Sequence, residues 1–242
     1  MKIEIWSDIA CPFCYFGKRK LEAALSEFPH KDKVDIEFKS YQLDPDAELY
    51  SGQDFYETMA AKFGSVEKAK QMATHITQQA KAAGLYFHFE TMKPTNTFDA
   101  HRLTKFAREF GKDTEVSEQL LKAHFTDSKD VGDIETLAAI AKHVGLDAAN
   151  ARTVLEDKQT YAPEVQADID EAKQLGISGV PYFVVNRKYA ISGAQPSETF
   201  TQALNKVWEE EQAKPAFETL SADNNADAAC GEDGCTIPDN KV

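Results

Sequence analysis

Four cysteines fall in two close pairs, Cys11/Cys14 and Cys230/Cys235. Two neighbouring thiols can hold part of a tetrahedral metal site, lie inert in a core, or exchange electrons with another thiol or disulfide. In Cys11-Pro12-Phe13-Cys14 the surroundings favour exchange. Cys11 would precede the first turn of a helix, where unpaired backbone N–H groups and the helix dipole stabilise an anion. The thiolate is the attacking form. Pro12 suits the first helical position, which needs no N–H. Cys14 shares a helix face with Gly17, Leu21, Ala24, Leu25 and Phe28. It is expected to be buried, where it can attack a mixed disulfide at Cys11 and release the partner. A four-cysteine zinc site would have to draw its pairs from opposite ends of the chain, far beyond zinc-ribbon spacing. The histidines are scattered without metal spacing, so no metal ligands are expected.

The elements that must position these thiols can be read from hydrophobic period. Ile3 and Ile5 alternate with polar neighbours as a first strand, and residues 12–28 repeat as a helix closed by Pro29. Val34, Ile36 and Phe38 alternate as a second strand, so the first three elements form a βαβ unit with parallel strands. From 53 to 160 the pattern is helix after helix. Gly64, Gly84, Gly111 and Gly145 mark helix ends, and Ser65, Thr97, Asp113, Asp133 and Asp147 mark starts. The aromatic run at 85–89 reads as an extended link or lip. A further helix at about 163–175 ends at Gly176. Pro181 to Val185 and Tyr189 to Ser192 form a hairpin around a turn at 186–188, and a closing helix starts at Pro196 and Ser197. Without the helical block, a βαβ–α–ββα plan remains.

That order is the thioredoxin plan, so the fold class expected is α/β: a thioredoxin fold with a large inserted all-helical domain and a flexible C-terminal tail. The boundaries read as 1–52 for the first thioredoxin part, 53–160 for the insertion, 161–212 for the second part and 213–242 for the tail. The tail is polar and carries Cys230 and Cys235. A disulfide there would staple nothing to the core. Redox exchange with Cys11–Cys14, a soft-metal site and idle thiols all stay open for it.

Gly179-Val180-Pro181 supplies the second part of the site. A proline here is either an ordinary trans residue at a strand start or a cis residue. With the cysteine motif and the topology, cis is expected. Val180 would then present its backbone beside Cys11 to an extended substrate. Pro12 and Phe13 would flank the same site. Phe13, Tyr15, Phe16 and Trp6 could form an apolar lip, although core packing explains most of them equally well. Asp8 either fixes the turn before Cys11 or relays a proton. His101 reads as a structural histidine that could also touch substrate.

The 242-residue chain carries a formal charge of −13 and 42% hydrophobic residues. This is enough for a sizeable core, and too acidic to favour nucleic acid or anionic lipid. No apolar stretch is long enough to span a membrane. Met1-Lys2-Ile3-Glu4 leads directly into alternation without a signal core, so a cytoplasmic location is expected.

Three stretches together resemble a known family: Ser7-Asp8-Ile9-Ala10-Cys11-Pro12-Phe13-Cys14-Tyr15-Phe16-Gly17, Asn96-Thr97-Phe98-Asp99-Ala100-His101-Arg102-Leu103, and Ile177-Ser178-Gly179-Val180-Pro181-Tyr182-Phe183. Over about residues 1–210 the sequence is similar to the DsbA-like thioredoxin proteins, specifically the FrnE-type branch. The resemblance implies Cys11 and Cys14 as the redox pair, Pro181 in cis, and a thiol–disulfide oxidoreductase acting on protein thiols or disulfides. No dissociable cofactor is implied, and glutathione is a candidate electron donor. The same superfamily includes glutathione-dependent isomerases and transferases, the alternative reading, but these use serine where Cys11 stands. A metal-binding or chaperone-like module is the non-enzyme alternative. Phe13 departs from the periplasmic pattern, which has a histidine that stabilises the thiolate. A less oxidising disulfide is therefore expected.

Overall fold

The computed structural model describes residues 1–213. The fold is mixed α/β and thioredoxin-like. Strand β1 (Lys2–Ser7) leads into helix α1 (Pro12–Glu27), which returns to β2 (Asp35–Ser40). Six helices follow: α2 (Phe55–Phe63), α3 (Val66–Ala82), α4 (Phe98–Arg108), α5 (Asp113–Phe125), α6 (Ile134–His143) and α7 (Ala148–Glu156). Then come α8 (Ala162–Gln174), β3 (Tyr182–Val185), β4 (Tyr189–Ser192) and α9 (Ser197–Ala213).

The strands form one sheet in the order β2-β1-β3-β4. β1 runs parallel to β2 and antiparallel to β3, and β3 and β4 form the hairpin. Period-two alternation divides the side chains between two faces. Ile3, Ile5, Phe183, Val185 and Ile191 pack with Leu21 and Phe28 of α1 and Phe200, Leu204 and Val207 of α9. On the opposite face, Trp6 and Val184 pack with Ala172 of α8 and Ile177. Trp6 is fully buried and its Nε1 donates to the Asp168 carbonyl at 3.0 Å.

The helical block has its own core, centred on Leu103, Val116, Leu120, Leu137 and Leu155. Arg102 is fully buried there. Its guanidinium pairs with Asp99 at 2.8 Å and donates to the carbonyls of Val154 (2.5 Å), Leu155 (3.2 Å), Thr160 (2.8 Å) and Asp157. One side chain thus satisfies the otherwise orphaned carbonyls at the end of α7.

The block also packs on the thioredoxin part. Tyr15 and Phe16 of α1 join Phe87, Phe89, Leu121 and Phe125 in an aromatic cluster. The 85–89 run is an extended link whose alternate residues Leu85, Phe87 and Phe89 are buried while Tyr86 is exposed. Beside this cluster, Glu118 of α5 takes Lys18 (2.7 Å) and Arg19 of α1, and accepts from the Tyr15 hydroxyl (2.7 Å). Burial would raise the Glu118 carboxyl, but Arg19 and Lys18 outweigh that and hold it down to about 2.

Candidate active site

Cys11 is the N-cap residue of α1, with extended backbone and no side-chain capping bond. Its thiol is free to face elsewhere, and Sγ lies 3.5 Å from the Val180 carbonyl oxygen. The Val180–Pro181 peptide is cis. Pro181 immediately precedes β3, and its carbonyl accepts from Gly193 N–H at 2.8 Å. Gly17 lets the proline approach α1, since a Cβ there would lie 2.8 Å from Pro181 Cγ and 3.0 Å from Phe183 Cζ. Glycine inside a helix is unfavourable without a reason, and this contact is the reason.

Cys14 is buried one turn behind Cys11 on the core face of α1, and both thiols are free. Burial pushes the Cys14 thiol well up, and neighbouring Cys11 adds to this, while the Ser7 hydroxyl and Asp8 N–H beside the sulfur work against it. Cys11 is buried to nearly the same degree but lines the groove described below, which Cys14 does not.

Asp8 links the loop before α1 to the helical block. It accepts from Ala10 N–H (3.3 Å), Leu43 N–H (2.8 Å) and the Thr97 hydroxyl (2.9 Å), and the His101 Nε2 atom is 3.5 Å away. Burial alone would raise its carboxyl, but His101, the Leu43 N–H and the Thr97 hydroxyl together hold it below its ordinary value. Thr97 stands at the start of α4, as its sequence position suggests, yet its hydroxyl serves Asp8 and not the helix end. His101 is buried and is not in the wall of the groove described below. Of the four aromatic residues near the motif, Phe13 alone is exposed. Trp6, Tyr15 and Phe16 are core residues.

Cys11 opens on a groove of about 650 Å³ between the thioredoxin part and the helical block. Its wall includes Phe13, Leu43, Phe63, Met59, Met72 and Met92. Three of the chain's four methionines therefore line one groove. Helix α2 contributes no buried residue and turns its apolar side here. The two-helix wall is held by the Asp54 cap on Glu57 N–H, the Ser65 cap on Lys68 N–H, and a left-handed Gly64 between α2 and α3. An ion pair between Lys62 and Asp44 (2.6 Å) ties α2 to the loop after β2.

His124 of α5 also lines the groove. Burial pushes its ring down to about 4, partly offset by the Asp8 carboxylate, so it is neutral near pH 7. Sequence reasoning missed His124, which sits in a helix with no local sign of its role. The methionines were missed because their meeting depends on how α2 and α3 pack. Their exposed apolar positions were the available signal. Cys230 and Cys235 lie outside the described residues. Among the described residues, no group of three His, Cys, Asp or Glu side chains could hold a metal ion.

The model of the DSBA-like thioredoxin domain matches residues 2–205. The chain belongs to this family. The crystal structure of a probable DsbA oxidoreductase of Streptomyces coelicolor aligns with a TM-score of 0.82 at 42% identity, covering 98% of this chain and 99% of that one. YwbO of Bacillus subtilis, an uncharacterized protein, is 28% identical over 204 residues, which is 84% of this chain and 95% of its own length. The cytosolic disulfide reductase DsbM of Pseudomonas aeruginosa, solved with glutathione, shares the DsbA-like fold at 14% identity. Its TM-score is 0.61, with 86% of this chain and 100% of that one covered.

Proposed function

We propose that this DsbA-like protein is a thiol–disulfide oxidoreductase of the FrnE-type branch, exchanging disulfides with protein thiols. The observation that carries this reading is the position of Cys11: its sulfur stands at the start of α1, 3.5 Å from the Val180 carbonyl and at the wall of an apolar groove, with Cys14 buried behind it. In the reducing direction, Cys11 thiolate attacks one sulfur of a substrate disulfide and expels the other as a thiolate. Cys14 then attacks Cys11 Sγ, breaks the mixed disulfide and expels the second substrate thiolate. Two electrons pass to the substrate, leaving a Cys11–Cys14 disulfide. The reverse sequence oxidises a dithiol.

The backbone of Val180 and Pro181 offers an edge for an extended segment, flanked by Pro12 and Phe13. Methionine-lined apolar surface adapts to varied side chains, which suits unfolded protein segments. A reductase or isomerase direction in the cytoplasm belongs to the same proposal. It rests on Phe13, which gives the sulfur no hydrogen bond, and glutathione is the proposed electron donor. Cys230 and Cys235 are proposed as a second pair that exchanges with Cys11–Cys14.

Differential alkylation with mass mapping across glutathione redox buffers tests the reading, each cysteine being read separately. Cys11 and Cys14 titrating together as one two-electron couple supports it. Resistance of all four cysteines to oxidation and alkylation until a chelator is added overturns it. An unchanged redox titration in the Cys230→Ser, Cys235→Ser double variant removes the tail pair from the scheme.

A further inference from the structure

His124 lines the groove, yet nothing in the exchange steps uses it. It is the next-to-last residue of α5, and only 3% of it is exposed. Neither ring nitrogen has a hydrogen-bond partner among the described residues, and only Nδ1 is wholly enclosed. Nε2 is thus the nitrogen left to the groove. A buried polar ring in this state requires an explanation. Three phenylalanines continue the wall from it. Phe125 meets His124 edge-on with ring centroids 4.9 Å apart, Phe89 meets Phe125 at 6.3 Å, and Phe55 meets Phe89 at 5.1 Å. All three line the groove, together with Met92. Such a run offers ring edges, ring faces and a thioether sulfur, the contacts that an aromatic side chain favours.

We infer that His124 and this aromatic wall form a specificity subsite for a tyrosine side chain of the protein substrate, with the phenol hydroxyl hydrogen-bonded to the His124 ring. The inference rests on the disulfide-exchange reading and deepens it by naming the side chain that the groove selects. Cys11 lines the same groove, so a segment whose cysteine is in exchange has its neighbouring side chains beside this wall. The ring is neutral near pH 7, and it therefore recognises a hydrogen-bonding group and not a charge. A phenol both donates and accepts, so it serves either tautomer of the imidazole. An indole N–H only donates and serves one of them. A phenylalanine would leave the ring unpaired.

The charges of the groove wall argue against an acidic side chain in the same place. They are Asp44, Glu48 and Lys62, and Lys62 is engaged by Asp44 at 2.6 Å. An apolar wall alone would rank phenylalanine above tyrosine, because burying a hydroxyl without a partner costs free energy. The order of these two side chains therefore reports the hydrogen bond to His124. His124 contacts the substrate in this scheme and takes no part in the sulfur chemistry.

The test is single-turnover reduction of disulfide-linked peptide dimers by the reduced full-length protein at pH 7, quenched in acid and read by mass. The peptides differ at one position, varied along both sides of the cysteine, which carries tyrosine, phenylalanine or leucine. In wild type, the best-placed tyrosine is expected to react about tenfold faster than phenylalanine at low peptide concentration, the scale of one hydrogen bond to a buried neutral group. The gain should lie in a lower half-saturation concentration and not in a higher limiting rate. In His124→Phe the order should turn over in favour of phenylalanine. In His124→Gln, whose amide still bonds a phenol, tyrosine should stay ahead. The wild-type comparison changes only the peptide, so it stands even where a variant fails to fold. Phenylalanine equal to or ahead of tyrosine at every position in wild type, or a tyrosine preference undiminished in His124→Phe, would overturn the subsite while leaving exchange intact. If wild type reduces no peptide, the exchange reading fails and the subsite fails with it.

Discussion

At the scale of single residues, the cysteines differ because their surroundings differ. Both cysteines are buried, but Cys11 lies against the Val180 carbonyl and lines the groove, whereas Cys14 is not in its wall and burial pushes its thiol up. His124 adds a pH signature. Unfolded, the ring titrates near 6.5, and folded it does so only near 4. Between those values the unfolded chain binds the extra proton, so stability is retained above pH 6.5 and falls as pH drops toward 4. The slope from this one ring is on the order of 1.4 kcal/mol per pH unit. Urea unfolding at several pH values should show this slope in wild type and its loss in His124→Gln. An unchanged slope would mean that the ring is protonated in the folded protein. The cysteine pair was legible from local spacing, and the cis proline from that motif taken with the topology and the family resemblance. The meeting of Asp8 with Thr97 and His101 was not, because Asp8 precedes α1 while the other two lie at the start of α4, far along the chain.

At the scale of elements, turn chemistry was legible and its exceptions are informative. Ser65, Asp133 and Asp147 accept from the first-turn N–H groups of their helices, as capping residues should. Asp113 starts α5 but does not cap it. The cap position is Lys112, and the Asp113 carboxylate is buried, 3.4 Å from Phe38 N–H of β2. Thr97 and Asp113 were both drawn into contacts between helix and loop or strand that no local pattern encodes. The contact of α1 with the cis-proline loop is the element-level feature on which the site depends. A Cβ at Gly17 has no room beside the Pro181 ring. Gly17→Ala should destabilise the protein by about 1–3 kcal/mol, the usual cost of overpacking, despite the gain in helix propensity. It should also slow Cys11 alkylation or mixed-disulfide formation as the loop shifts. Denaturant unfolding and stopped-flow alkylation measure the two effects, and a more stable variant with wild-type kinetics would contradict the packing argument.

At the scale of the whole molecule, the helical block does more than occupy an insertion. Helices α4 and α5 pack toward the sheet, α2 and α3 wall the groove, and Glu118 locks α5 to α1. The run of helices between β2 and the second half of the sheet was legible in the sequence. How it folds back on the thioredoxin part is set by long-range packing that hydrophobic period does not report. If the groove binds apolar protein segments, Met72→Glu should separate two kinds of substrate. Met72 is 39% exposed, so the substitution spares the core. The reaction with a disulfide-bonded unfolded protein should weaken about tenfold, chiefly through KM, as expected for loss of one apolar contact and burial of a charge. The reaction with a small hydrophilic disulfide should be unchanged. Parallel loss on both substrates would place the effect at the cysteines.

The central claim is that Cys11 forms a mixed disulfide which Cys14 resolves. The most direct measurement is intact mass of the Cys14→Ser variant after incubation with a disulfide-bonded unfolded protein. The account gives an adduct at Cys11 that persists, is released by reductant, and is absent in the Cys11→Ser variant. No adduct, or an adduct formed equally well without Cys11, would contradict it.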